Sequence, residues 1–400
     1  MSFAEATDRM TIDELRRRGS LKWTRGGSGV LGAFVAEMDF GTAPVVEAAL
    51  RAAMERQEYG YLSDQASADL SRACADWQRA AYGWAADPAR IWPVADVFQA
   101  LVAAIRVFSR PGSPVILPTP AYMPFVTLPG QLGRKAIQVP TVPGPDGRPT
   151  LDADGIDAAF RAGGHLLVLI NPGNPAGRVY SRDELAAVAD VVERHGGRVF
   201  ADEIHAPLVY AAGHHVPYPT VSAAAAGHAI TAVSASKAWN LPGLKCAQLI
   251  LTSEADVATW AAHWPLYEHG ASTPGVRASI AAYRAGKDWL AEVLAYLDGS
   301  RHLLADLVAE HLPGVGYTPP EGTYLAWLDC RALALGQDAL RPHPAPPVDL
   351  AEFFLSKAGV LATDGALCGE AGRGFLRLNF ATPRPVLTEM IRRMGKALTS

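Results

Sequence analysis

The chain has 400 residues, 49% of them hydrophobic and 19% charged, a balance that supports a packed core and argues against disorder. Lys plus Arg number 36 and Asp plus Glu 40, giving a net charge of −4. Such a chain has no general attraction for nucleic acid or anionic membrane, so any anion must be held by a local device.

The charge-dense start, Met1 to Arg18, lacks the apolar core of a secretion signal. No run approaches the ~18 apolar residues of a membrane span. Cys74, Cys246, Cys330 and Cys368 lie far apart, without a C-x-x-C pair, and read as reduced thiols of a cytoplasmic protein. In chain order, Gly27–Gly32 matches G-x-G-x-x-G, but a polar, basic stretch precedes it and an extended one follows. A dinucleotide site needs a strand before and a helix after, so this reads as a loop. Helical periodicity then marks Ala43–Gln57, Ser63–Tyr82, Val97–Ser109, Ser181–His195, Pro274–Leu297 and Pro383–Leu398. Between these lie short, turn-bounded apolar runs: Val115–Leu117, Leu166–Ile170, Arg198–Ala201, Ala229–Ser234 and Ala247–Leu251. Strands alternating with helices predict an α/β fold with a mostly parallel sheet covered on both faces. Strands at Tyr324–Leu328 and Phe375–Leu378 and the closing helix read as a smaller α+β domain. A boundary is expected near Tyr283–Lys287, inside one long helix. Arg341–Pro347 reads as a Pro-rich loop, Ala223–Ala226 as a surface turn or helix end, and His214-His215 as a solvated turn rather than a metal site.

Four strings carry chemistry. Ser234-Ala235-Ser236-Lys237 follows a strand, and ligands of α/β sheets bind beyond the carboxyl ends of strands. A lysine there can reach an aldehyde while the serines face an anion; a lone S-x-S-K reads more readily as a solvated loop. Asp202 ends the run Arg198–Ala201, where a carboxylate can pair with a protonated ring nitrogen and keep that ring an electron sink. Alternatively it caps a turn. A metal set of Asp202, Glu203 and His205 lacks ligands from a second segment. Asn171–Gly177 forms an irregular Pro/Gly loop at another strand end. There Asn174 can donate to a phenolate oxygen, or merely shape a turn. Arg377, in an apolar strand, needs a buried partner: a substrate carboxylate or a structural Asp or Glu.

In the order Asn174, Asp202, Lys237, Arg377, these residues resemble the fold-type I pyridoxal-phosphate enzymes of the aspartate aminotransferase superfamily. The nearest resemblance is to the cystathionine β-lyase-like C–S lyases of the MalY/PatB type. Further strings carry it: Lys22-Trp23, Ala36–Phe40, Tyr59–Tyr61, Pro118–Tyr122, Asp202–His205, Thr323–Asp329 and Gly372–Asn379. They run from about residue 22 to 385. His205 is similar to the lyase branch; typical aspartate aminotransferases have Tyr there.

The resemblance implies a seven-stranded sheet sandwiched by helices as a large cofactor domain, residues 49–286. Residues 1–48 and 287–400 would form the N-terminal segment and small domain. It implies pyridoxal 5'-phosphate on Lys237, with Asp202 at the ring nitrogen and Asn174 and His205 at the ring. Tyr122 would stack on the ring and help protonate a leaving group. Ser234, Ser236, Lys245 and the N–H groups near Val97 and Phe98 would hold the phosphate. Tyr61 would reach the phosphate of the neighbouring subunit in a homodimer, and Arg377 would grip the substrate carboxylate. Three positions depart from the pattern. Asp96 stands beside the phosphate site and is expected to cap the helix from Val97. Glu37 replaces a common Asp, and Lys245 replaces the Arg of aminotransferases.

The implied activity is β-elimination from a cysteine thioether: Lys237 takes the Cα proton, a thiolate leaves Cβ, and pyruvate and ammonia follow. Three alternatives share the scaffold. One is a class I/II aminotransferase, another a specialised cysteine S-conjugate enzyme of natural-product biosynthesis, and the third a regulatory protein-binding relative.

Overall fold

The computed structural model describes residues 1–144, 147–210, 214–333 and 349–399, so the Pro-rich stretch Arg341–Pro347 lies outside the described residues. Its central feature is a seven-stranded sheet in the order Ile91–Val94, Ala247–Leu251, Ala229–Val233, Arg198–Asp202, Leu166–Ile170, Val115–Thr119, Ala136–Pro140. Ala247–Leu251 runs antiparallel to both its neighbours; all other neighbours are parallel. The two strands not anticipated from the sequence, Ile91–Val94 and Ala136–Pro140, are the sheet's edges. Each contains a proline, which interrupts the apolar pattern and sits most easily at an edge, although the interior strand Val115–Thr119 also carries Pro118 near its end.

Strand residues alternate between two apolar layers. Leu166, Val168, Ile170 and Phe200 pack with the helix Val97–Val107. Leu167, Leu169, Val199 and Ala201 pack against the helices Ala153–Arg161 and Arg182–Arg194. A separate four-stranded sheet is formed by Gly316–Tyr317, Leu325–Asp329, Phe375–Asn379 and Thr363–Asp364, in that order. The aspartate aminotransferase-like α/β architecture expected from the sequence is the one observed.

The continuous helix expected over Pro274–Leu297 is instead two helices, Thr273–Ala285 and Lys287–His311, which meet at Gly286. Trp239 Nε1 donates to the Gly286 carbonyl at 2.9 Å, and a Cβ on Gly286 would lie 2.3 Å from that nitrogen. Tertiary packing ends the first helix where the sequence pattern runs on. Ala223–His228 is a short helix capped by the Ser222 side chain. No helix of the described residues is long and apolar enough to cross a membrane.

Candidate active site

Four parallel strands deliver their following residues to one end of the sheet: Thr119 to Tyr122, Ile170 to Asn174, Asp202 itself, and Val233 to Lys237. The edge strand brings Asp96 and Val97 to the same end. The antiparallel strand reaches it with its start, since Ala247 pairs with Val94. Lys245 therefore lands beside Asp96, although 149 residues separate them. These residues, with His205, Ser236, Arg377, Phe34–Ala36 and Arg25, line a cavity of about 580 Å³.

Lys237 Nζ donates to the Ala36 carbonyl at 2.7 Å. Burial, and then the Arg377 charge, pulls its ammonium down to about 8, against the opposing pull of Asp202 and Glu37. Asp202 is 4% exposed, and burial pushes its carboxyl up to about 7, while the Ile204 N–H and Lys237 draw it down. That N–H donates to Oδ1 at 3.0 Å. His205 is buried, its Nδ1 has no partner among the described residues, and burial draws it down to about 3, so the ring is neutral. Burial also raises the Tyr122 phenol, keeping it protonated.

Arg377 is 1% exposed and touches no carboxylate among the described residues. Its Nη1 donates to Asn174 Oδ1 at 3.0 Å, and its Nη2 donates to the Phe34 carbonyl and to Thr363 Oγ1, the latter at 3.3 Å. Its Nε has no partner among the described residues. A guanidinium this deep in the cavity, paired with no carboxylate among the described residues, is built for a carboxylate that arrives from outside. Accepting from Arg377 occupies the oxygen of Asn174 and leaves its N–H₂ group as a donor for the cavity.

At the phosphate end, Asp96 caps the helix by accepting the Gln99 N–H at 2.8 Å through Oδ1. Its Oδ2 lies 2.7 Å from Lys245 Nζ. The Asp96 carboxylate beside the phosphate end is thus already bound to a cation and to a helix terminus. The N–H groups of Val97 and Phe98 belong to the helix's first turn, which makes no intrahelical bonds. One expectation differs from the structure. Ser234 does not line the cavity: its hydroxyl donates to the Cys246 carbonyl at 2.6 Å and accepts the Ser236 N–H at 3.0 Å. It shapes the turn that carries Ser236 and Lys237. Tyr61 is 83% exposed, its ring tilted against that of His269 with centroids 4.7 Å apart, and it lies outside the cavity lining of its own chain.

The sequence reading missed the role of Phe34–Met38, which offers backbone carbonyls to the site. Ala36 O accepts from Lys237 and Tyr324, Phe34 O from Arg377, and Val35 O and Glu37 O from Asn379 Nδ2. Beneath it, Lys22 Nζ meets Asp39 Oδ2 at 2.8 Å and Trp23 Nε1 donates to Asp39 Oδ1 at 2.7 Å, all buried. This explains the pairing of Lys22-Trp23 with Ala36–Phe40. The solvated turn expected at His214-His215 is half wrong: His215 is 6% exposed, with Nε2 3.1 Å from Glu203 Oε2. Glu203 points there and to the Tyr218 N–H, away from Asp202. Among the described residues no three His, Cys, Asp or Glu side chains gather as a metal site.

A lysine, a buried carboxylate, a helix N-terminus with a paired cation, and an arginine lacking an anion fit pyridoxal phosphate together with an amino acid. A buried imidazole nitrogen without a partner faces the same space. Fold and site together define a pyridoxal-phosphate enzyme of the aspartate aminotransferase-like fold. The chain belongs to the aminotransferase class I and II family, whose pattern matches residues 35–394. It is similar to the cystathionine beta-lyase of Corynebacterium glutamicum, 37% identical over 97% of this chain and 99% of that protein. It is 29% identical to cystathionine beta-lyase PatB of Bacillus subtilis, over 95% of this chain and 97% of PatB. Among solved structures, the pyridoxal-phosphate-bound C–S lyase of Staphylococcus hominis matches with a TM-score of 0.87 at 26% identity, covering 100% of this chain and 99% of that one.

Proposed function

We propose that this protein is a pyridoxal-phosphate-dependent C–S β-lyase that cleaves a cysteine thioether to a thiol, pyruvate and ammonia. The observation that supports it most is Arg377, buried and paired with no carboxylate among the described residues, in the cavity that holds Lys237 and Asp202. When bound, the cofactor supplies an aldehyde for the substrate amino group and a ring that withdraws electrons from Cα. Lys237 is the residue to hold it, with Asp202 keeping a proton on the ring nitrogen and Ser236, Lys245 and the Val97 and Phe98 N–H groups receiving the phosphate.

Arg377 binds the substrate carboxylate through parallel N–H donors and fixes the orientation of the Cα–H bond. Lys237, drawn down to about 8, holds an appreciable neutral fraction near neutral pH and takes the Cα proton at Nζ. The Cβ–S bond then breaks with its electron pair on sulfur, and the protonated Tyr122 hydroxyl is placed to deliver a proton there. Addition of water releases pyruvate and ammonia. His205 and Asn174 line the same cavity with uncharged groups and would face the cofactor ring.

Tyr61 and Tyr59, both exposed, fit a second copy of this chain. We place Tyr61 at the partner's phosphate in a homodimer with isologous contacts. A fully active monomer in sedimentation would overturn that assembly. The chain's family also contains aminotransferases, which share this constellation, so transamination is the second reading. Product analysis with L-cystathionine separates the two: pyruvate with stoichiometric thiol supports the lyase, and a keto acid retaining the whole side chain refutes it.

A further inference from the structure

The charges facing the cavity can be assigned one by one. Its cationic side chains are Arg25, Lys237, Lys245 and Arg377; its carboxylates are Asp96 and Asp202. Lys245 is paired with Asp96 at the phosphate end. Arg377 awaits the α-carboxylate, and Lys237 with Asp202 belongs to the cofactor. Arg25 remains. It is exposed at the rim beside Leu21, its side chain makes no ion pair among the described residues, and its guanidinium lies over the Phe34 ring, 5.4 Å from the centroid.

Phe34 links the two arginines. Its carbonyl accepts from Arg377 and its ring carries Arg25. The amino-acid head of a substrate, gripped by Arg377, is thus separated from Arg25 by one aromatic side chain. The cavity's apolar lining includes Leu21, Phe34, Tyr122 and Met123. A thioether that extends from the head along this wall places its far end at the rim, in reach of a cation with no anion of its own.

We infer that Arg25 is a specificity-determining residue that binds a carboxylate at the far end of the leaving thiol, so the preferred substrates are cysteine thioethers whose S-substituent ends in an anion. This rests on the lyase reading above for the identity of the leaving group. A planar guanidinium held over the Phe34 ring suits the task, because the cation–π contact orients the fork without neutralising it.

The test uses the holoenzyme and a matched pair, S-(2-carboxyethyl)-L-cysteine and S-propyl-L-cysteine, with wild type, Arg25→Gln and Arg25→Lys. Two readouts are taken: kcat/KM for pyruvate release, and affinity from titration of the cofactor's visible absorption. Wild type should prefer the carboxylated thioether. Arg25→Gln should reduce that preference about five- to tenfold, the range for one charge-assisted contact near solvent. The propyl compound should be unaffected, and Arg25→Lys should restore part of the preference. Raising salt should erode the wild-type preference alone. An unchanged ratio in Arg25→Gln, or an equal loss on both compounds, overturns the inference. If no variant releases pyruvate, the lyase reading fails, while the absorption titration still decides whether Arg25 selects the anion.

Discussion

Replacing Asp202 by Asn separates the demands of folding from those of catalysis. In the cofactor-free protein, burial moves the carboxyl from 3.8 to about 7. Each pH unit is worth 1.36 kcal/mol, so holding this group charged costs on the order of 4 kcal/mol. The sign follows from a folded-state value above the unfolded one. Asp202 contributes its stability fully below about pH 4, and loses it as pH rises through about 7. Asn keeps an oxygen for the Ile204 N–H and carries no charge. The stability of the Asp202→Asn apoprotein relative to wild type should therefore rise by roughly 2–3 kcal/mol between about pH 5 and pH 8. Urea unfolding of both apoproteins at the two pH values measures it. Any fixed penalty for the new N–H₂ group cancels in that difference. In the holoenzyme the direction reverses: kcat should fall and cofactor should be retained less well, because the lost charge stabilised electron flow into the ring. Parallel pH profiles for the two apoproteins, or an unchanged kcat, would refute the reasoning.

Arg377→Ala should lower kcat/KM by about 100-fold or more, chiefly through KM, and leave cofactor binding nearly intact; an unchanged KM removes the carboxylate role. Lys237 sits at about 8 rather than 10.5, so capture of pyridoxal phosphate by the apoenzyme should accelerate with pH through about 8, and an inflection near 10 would count against it. Asp39→Ala strands the buried Lys22 ammonium and the Trp23 N–H. The expected loss is about 3–5 kcal/mol in chemical unfolding, and a loss below about 1 kcal/mol would show that water reaches the pair.

Local pattern was enough to place most of the elements and the chemistry each can present. Lys237, Asp202 and Asn174 follow apolar runs that suit buried strands, and a parallel sheet gathers the residues after such strands at one end. Arg377 was legible because an apolar strand does not bury a charge without a partner for it. Other features arise only when distant segments pack. Lys245 meets Asp96 because a single strand runs antiparallel, a direction that no local pattern encodes. Ser234, identical in kind to Ser236, turns to the Cys246 carbonyl because packing closes its side of the loop. The carbonyls of Phe34 and Ala36 are backbone groups, so side-chain identity gives no sign of them. Gly286 ends a helix inside a continuous helical pattern because Trp239 occupies the space where a Cβ would stand. In each of these cases the deciding contact joins segments distant in sequence, and the information lies in which surfaces meet rather than in either segment alone.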